Sequence, residues 1–357
     1  MATPTPPHLL LLTLFLSLLY ITSSAGTIGI NYGRIANNLP NPTQVIQLLN
    51  TNGITRIKLF DTDPSVLNAL SNSTISVIVA LPNEHLSSAA QNQAYTDTWV
   101  QSNILLHTQT TNITAIAVGN EVFNDPNNTT SFLIPAMQNM HASLTKYNLN
   151  IKVSTPVPLT VLGNSYPPSA GSFKPELIET LIKPMLHFLR ETNSYIMVNA
   201  YPFFAYAANS DKISLDYALF RDNDGYVDDQ NGVVYKNLLD AQLDAVNSAM
   251  EALNFSEVKM VVTETGWPSV GDLNETGAGE ENAAEYNGNL VRRVVTGGGT
   301  PLRPDDHLNV YLFALFNENL KVGPTSERNY GLFYPDERKV YDVPLSLTAV
   351  VNGSTVG

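Results

Sequence analysis

Lys259–Gly271 reads KMVVTETGWPSVG and carries three signals in a row. Met260–Thr263 is a short β-branched, apolar run of the kind that forms a buried parallel strand. A carboxylate, Glu264, follows at once, and Gly266, Trp267 and Pro268 then turn the chain. A second stretch repeats the design: Ile113–Val118 as the strand, then Gly119, Asn120 and Glu121. An acid at the carboxyl end of a buried strand is where parallel barrels carry their reactive groups.

Six further strand patterns surround these two: Thr27–Gly33, Ile54–Phe60, Ser76–Leu81, Ile151–Thr155, Ser194–Ala200 and Leu308–Phe313. Helical spacing fills the intervals, at Pro42–Asn52, from Asp61–Pro64 onward, and over Tyr95–His107, Ile134–Tyr147, Pro175–Thr192, Asn237–Leu253 and Asn282–Val295. Strands and helices that alternate in this way pair in parallel through right-handed crossovers. A doubly wound open sheet usually places a glycine-rich phosphate loop after its first strand, and here that position reads Asn31-Tyr32-Gly33-Arg34. The α/β pattern therefore predicts a closed (β/α)8 TIM barrel over residues 26–345.

The rhythm breaks between Tyr201 and Leu238, where an insertion after the sixth strand is rich in Tyr, Asp and Asn. Its Asn231-Gly232 pair signals a β-hairpin turn. Asp222, Asp224, Asp228 and Asp229 give a superficial likeness to a calcium loop, but Gly225 comes too early for that spacing, and a solvated hairpin is expected.

Composition narrows the chemistry. The 357 residues include no cysteine, which excludes disulfides, thiol nucleophiles and thiolate metal sites. A formal charge of −13 argues against nucleic acid or anionic membranes as partners and resists a neutral polymer least. Leu9–Ile21 is an apolar run followed by Ser23-Ser24-Ala25, read as a signal peptide over residues 1–25. It is shorter than the roughly 18–20 residues of a membrane span. Residues 346–357 read as a tail. Seven Asn-x-Ser/Thr triplets, at Asn72, Asn112, Asn127, Asn128, Asn254, Asn274 and Asn352, fit an exported glycoprotein beside such a signal.

The strand ends carry Tyr32, Asp61, Asn83, Glu84, Asn120, Glu121, Asn199, Tyr201, Phe203, Glu264, Trp267, Phe316, Glu318 and Lys321. Aromatic faces stack on sugars, amides bind hydroxyls, and paired carboxylates perform acid–base work; two such glutamates are the minimum apparatus for cleaving a glycosidic bond. No histidine stands among them, which disfavours a Ser-His-Asp triad or a histidine metal site. The stretches NYGRIANNLP, AVGNEVF, NAYPFF, VVTETGWPSVG, FALFNEN and SERNYGLFYPD resemble the signatures of plant-type endo-β-1,3-glucanases, glycoside hydrolase family seventeen.

That resemblance runs from about Thr27 to Asp342 and implies roles residue by residue. Glu121 is similar to the family's acid/base and Glu264 to its nucleophile, a retaining pair whose carboxyls should lie about 5–5.5 Å apart. Asn120 resembles the amide that holds the 2-hydroxyl, and Glu318 with Lys321 an auxiliary acid–lysine pair, with a structural ion pair as the alternative. Tyr32, Tyr201, Phe204, Trp267 and Phe316 are expected to contact sugar or orient the nucleophile, although Trp267 could equally be a wall. The implied protein is a secreted monomer of the cell wall, or of the vacuole, that cleaves β-1,3-glucan without metal or cofactor. Transfer to an acceptor sugar, a mixed-linkage substrate and a non-catalytic glucan binder are the competing readings. Both glutamates being present weighs against the last.

Overall fold

The computed structural model describes residues 26–345; the expected signal peptide, the expected tail and the Asn352 triplet lie outside the described residues. Eight parallel strands run in chain order: β1 (Thr27–Asn31), β2 (Arg56–Lys58), β3 (Ser76–Leu81), β4 (Asn112–Val118), β5 (in two halves, Lys152–Ser154 and Pro156–Pro158), β6 (Tyr195–Asn199), β7 (Lys259–Thr265) and β8 (Asn309–Leu312). The first half of β5 pairs with β4 and the second half with β6, so the two ends of the nine-segment sheet are one stretch of chain. The barrel closes through that stretch. Ser154 Oγ and Ser194 Oγ stitch the seam by donating to Tyr195 O at 2.6 Å and Val153 O at 2.7 Å. β5 runs past its expected end at Thr155, because Pro156 and Pro158 are tolerated in a segment whose ladder serves only one neighbour.

The barrel is filled rather than hollow. Ile78, Ala80, Ala115, Ala117, Met197, Val261 and Tyr311 pack in its lumen, while the other faces of the same strands meet the helix layer. Gly29 makes room for the largest of them, since a Cβ there would stand 2.4 Å from the Tyr311 ring. Helices form where the apolar spacing predicts them, among them Pro42–Thr51 under an Asn41–Gln44 capping box, Thr130–Lys146, Leu238–Ala252 and Glu280–Thr296. Two helices expected as continuous contain a π-type turn, at Gln101–Leu105 and Ile178–Ile182.

In the insertion, Tyr226–Val227 pairs antiparallel with Val234–Tyr235. Gly232 takes φ +73° in the connecting loop, as an Asn-Gly turn requires. The expectation of solvated aspartates is corrected at Asp228, which is buried. It accepts hydrogen bonds from Ser169 N at 2.9 Å, Ser169 Oγ at 2.8 Å and Gln230 N at 3.0 Å, so it ties the hairpin to the segment after β5. A fully buried carboxylate is tolerable only with such partners, and spacing along the chain does not reveal them.

Candidate active site

A cleft of about 580 Å³ opens at the carboxyl ends of the strands, and both Glu121 and Glu264 line it. The chain leaves β4 through Gly119 at φ +68° and Glu121 at φ +48°. A left-handed glutamate is uncommon and persists only where its surroundings hold it. Here Asn120 N donates to Asn83 Oδ1 at 2.8 Å, Asn83 Nδ2 donates to Asn120 O at 3.1 Å, and Glu121 N donates to Pro156 O at 3.0 Å. The turn is thereby pinned to the loop after β3 and to β5.

Glu264 reaches the cleft by a different device. β7 slips register against β6 between Val262 and Glu264. The bulge breaks strict in–out alternation. Thr263 Oγ1 donates to Asn199 Oδ1 at 2.9 Å and Glu264 faces the cleft, whereas Thr265 Oγ1 lies 2.6 Å from the Tyr286 hydroxyl in the helix layer. Asn199 Nδ2 donates in turn to Glu121 Oε1 at 2.9 Å, so one amide links the β7 bulge to the other glutamate.

The two carboxyls have unlike surroundings. Burial and then the charge of Glu264 push the Glu121 carboxyl above its ordinary value, against the Asn199 hydrogen bond and Lys58. Glu264 Oε1 accepts from Lys58 Nζ at 2.7 Å and Oε2 from the Tyr201 hydroxyl at 2.9 Å. Lys58 is buried beneath the carboxylate; it also donates to Asn31 Oδ1 at 3.3 Å and lies 3.9 Å from the centre of the Phe60 ring. Burial pulls the Lys58 ammonium down and the Glu264 carboxylate opposes that pull. Burial, followed by the Glu264 charge, holds the Tyr201 phenol far above its usual range, so it remains a hydrogen-bond donor at any working pH.

Of the residues named from sequence, Asn120, Glu121, Tyr201, Phe204, Glu264 and Lys321 line the cleft together. Phe204, 45% exposed beside Tyr201, presents an open ring. Of those given a role at the substrate, four do not line it: Tyr32, Trp267, Phe316 and Glu318. Trp267 is fully buried, donates from Nε1 to Gly277 O at 2.8 Å and packs on Phe203, Tyr206 and Tyr286. It is a wall, because the chain turns back at Gly266, where a Cβ would meet Phe313 O at 2.2 Å. Tyr32 and Phe316 are buried edge to face against one another. Glu318 is buried too and accepts from Ile35 N at 2.8 Å, with Lys321 Nζ 4.0 Å away. It anchors the loop after β1, and Lys321 reaches the cleft without it, over the Phe313 ring and 3.7 Å from Glu327 Oε2.

Sequence reasoning passed over Lys58, Phe313, Glu327 and Tyr330, and recorded Asn199 as a strand end without a role. For Lys58 a signal existed: one lysine at an inward position of the apolar run Ile54–Phe60 has to find a buried counter-charge. Glu327 and Tyr330 lie in the stretch SERNYGLFYPD, Glu327 within the short 3-10 helix Thr325–Arg328, where no periodicity singles out a residue.

The likeness to known proteins covers nearly the whole described chain. Residues 28–345 match the family model described as glycosyl hydrolases family 17. The chain belongs to this family. Glucan endo-1,3-beta-glucosidase 11 of Arabidopsis thaliana is 46% identical to this family 17 hydrolase over 97% of the chain and 82% of its own length. Glucan endo-1,3-beta-glucosidase 14 of the same plant is 46% identical over 93% of the chain and 85% of its own. Among solved structures, CJP38, a beta-1,3-glucanase and allergen of Cryptomeria japonica pollen, superposes on the hydrolase with a TM-score of 0.86 at 44% identity, covering 90% of this chain and 99% of its own. A plant beta-glucan endohydrolase superposes with a TM-score of 0.82 at 39% identity, over 88% and 99% of the two chains.

Proposed function

We propose that this glycosyl hydrolase is a secreted, retaining endo-β-1,3-glucanase in which Glu264 attacks the anomeric carbon and Glu121 is the acid/base. The observation that carries the reading is the asymmetry of the pair: one cleft, one carboxyl raised by burial and by its neighbour's charge, the other held by a lysine and a phenol. A raised carboxyl is protonated when the glycosidic oxygen departs, and its neighbour's lone pair forms the glycosyl–enzyme bond. Glu121, left as a carboxylate, then takes a proton from the water that displaces Glu264. Phe204 offers a sugar platform and Asn120 a polar contact, its Oδ1 being buried without a protein partner. The endo-1,3 preference rests on the relatives named above, and export on the signal-like sequence and six exposed triplet asparagines in the described chain.

Incubation with laminarin and with a mixed-linkage β-1,3-1,4-glucan, with products followed by proton NMR, tests the reading. Rapid release of internal fragments from laminarin with β-configured new ends is expected. Fragments appearing first as the α-anomer, or cleavage of the mixed-linkage polymer alone, would overturn it.

Glu121 also sets a pH signature. A carboxyl raised in the folded state adds stability below its unfolded value and loses it as pH rises through the folded value. Glu121→Gln removes a charge that is costly to bury, so it should raise Tm at neutral pH by about 2 °C and by less at pH 4. The wild-type rate should fall on the alkaline side as Glu121 loses its proton. Paired melting curves at the two pH values check the first statement; an equal change at both would refute it.

A further inference from the structure

A second cavity, of about 940 Å³, lies beside the cleft and has no part in the chemistry above. It is bounded by the segment around Tyr166, the insertion after β6 and the helix Leu238–Ala252, and it shares Ser165, Ala205 and Gln242 with the cleft as a common wall. The helix Pro202–Ala208 divides the two spaces: Phe204 faces the cleft and Ala205 borders both. We infer that this cavity is an accessory saccharide pocket that binds a glucosyl unit of the substrate lying outside the cleft of the two glutamates. The inference rests on the β-glucan reading of the cleft.

Three observations carry it. Tyr166, Tyr217 and Tyr226 line the cavity, and Tyr166 and Tyr226 stand with ring centres 5.1 Å apart. Tyr166 is 67% exposed, so core packing does not account for it. Broad aromatic faces with hydroxyl tips suit a ligand that is apolar on its ring faces and polar at its edge. At the shared wall, Gln242 Oε1 is buried without a hydrogen-bond partner. A buried acceptor left unpaired costs free energy, and a sugar hydroxyl would satisfy it. Finally, Asp216, Asp222 and Asp224 against Lys212 leave the lining net negative, which turns away anions and favours a neutral polyol. The Asp228 hydrogen bonds to Ser169 fix one side of the pocket on the barrel, so the aromatic pair is held in place before any ligand arrives.

The glucosyl unit can belong to a side branch or to the main chain continuing past the cleft, and substrate choice separates the two. Tyr166→Ala, Tyr226→Ala and the double variant are compared with wild type on a short linear β-1,3-oligosaccharide, a long linear β-1,3-glucan and a β-1,3-glucan bearing single β-1,6-linked glucosyl branches. On the short oligosaccharide kcat/KM should stay within about twofold of wild type; on a polymer the double variant should raise KM about five- to tenfold with kcat held. A rise confined to the branched polymer assigns the pocket to a branch, and a rise on both assigns it to the continuing chain. Unchanged KM on both polymers would overturn the inference while leaving the glucanase reading intact. So would an equal loss on the short oligosaccharide in both single variants. A wild-type enzyme inactive on all three substrates would remove the glucanase reading and this inference with it.

Discussion

Glu264→Gln is expected to lower kcat on β-1,3-glucan by roughly 10⁴-fold or more, with KM changed little, the scale seen when a nucleophile is removed from an otherwise intact site. The amide is isosteric and its oxygen still accepts from Lys58, so the cleft should keep its shape, while the loss of the buried lysine's counter-charge should lower Tm. What is lost is the lone pair that forms the covalent bond. A complementary result is expected from Glu121→Gln with an activated aryl glycoside, whose leaving group needs no acid. Glycosylation should then proceed while hydrolysis of the intermediate, deprived of its base, is slow. Intact-mass spectrometry should show the adduct, and peptide mapping should put it on Glu264. An adduct on any other side chain, or a Glu264→Gln variant within tenfold of wild type, would end the assignment.

The legibility of these two glutamates has a local cause. Each follows an apolar β-branched run, and a parallel barrel exposes the residues at the carboxyl ends of its strands, so strand order and reactive position are read together. The same logic identified Tyr201, which begins the segment after β6 and points into the cleft, but beside it named Phe203, which is buried against Trp267; Phe204, which lines the cleft, came from the resemblance. It failed where the direction of a side chain depends on a turn. Trp267 stands three residues past Glu264, yet the close approach of Gly266 to Phe313 O sends its indole into the helix layer. Glu318 faces the loop after β1 for a similar reason, drawn by the Ile35 N–H. The β7 bulge was invisible as well, since nothing in the alternation of KMVVTET marks where the register slips. Asp228 repeats the point in the insertion: its partner at Ser169 is distant in sequence, and only the folded chain brings the two together.

Lys58→Met is the second large effect, and it tests whether the buried lysine acts on the reaction or only on the fold. Methionine keeps most of the volume and removes the ammonium that lies 2.7 Å from Glu264 Oε1. Removing one partner of a buried pair leaves the other uncompensated, at a cost on the order of 3–5 kcal/mol where burial is complete. Glu264 borders the cleft and keeps its Tyr201 hydrogen bond, so the stability loss should fall below that range. Catalysis should suffer more, because the cation stabilises the carboxylate as the leaving group of the second step and fixes its orientation for attack in the first. A fall in kcat of about 10²–10³-fold is expected, comparable to losing one preorganised charge-assisted donor. KM should change little, since Lys58 lies beneath Glu264 and does not line the cleft. Lys58→Arg, which keeps the charge, should recover part of the lost kcat even if its bulk lowers the rate. A Lys58→Met enzyme with a normal kcat but a lower Tm would make the lysine a structural residue and leave the Tyr201 hydroxyl to orient Glu264.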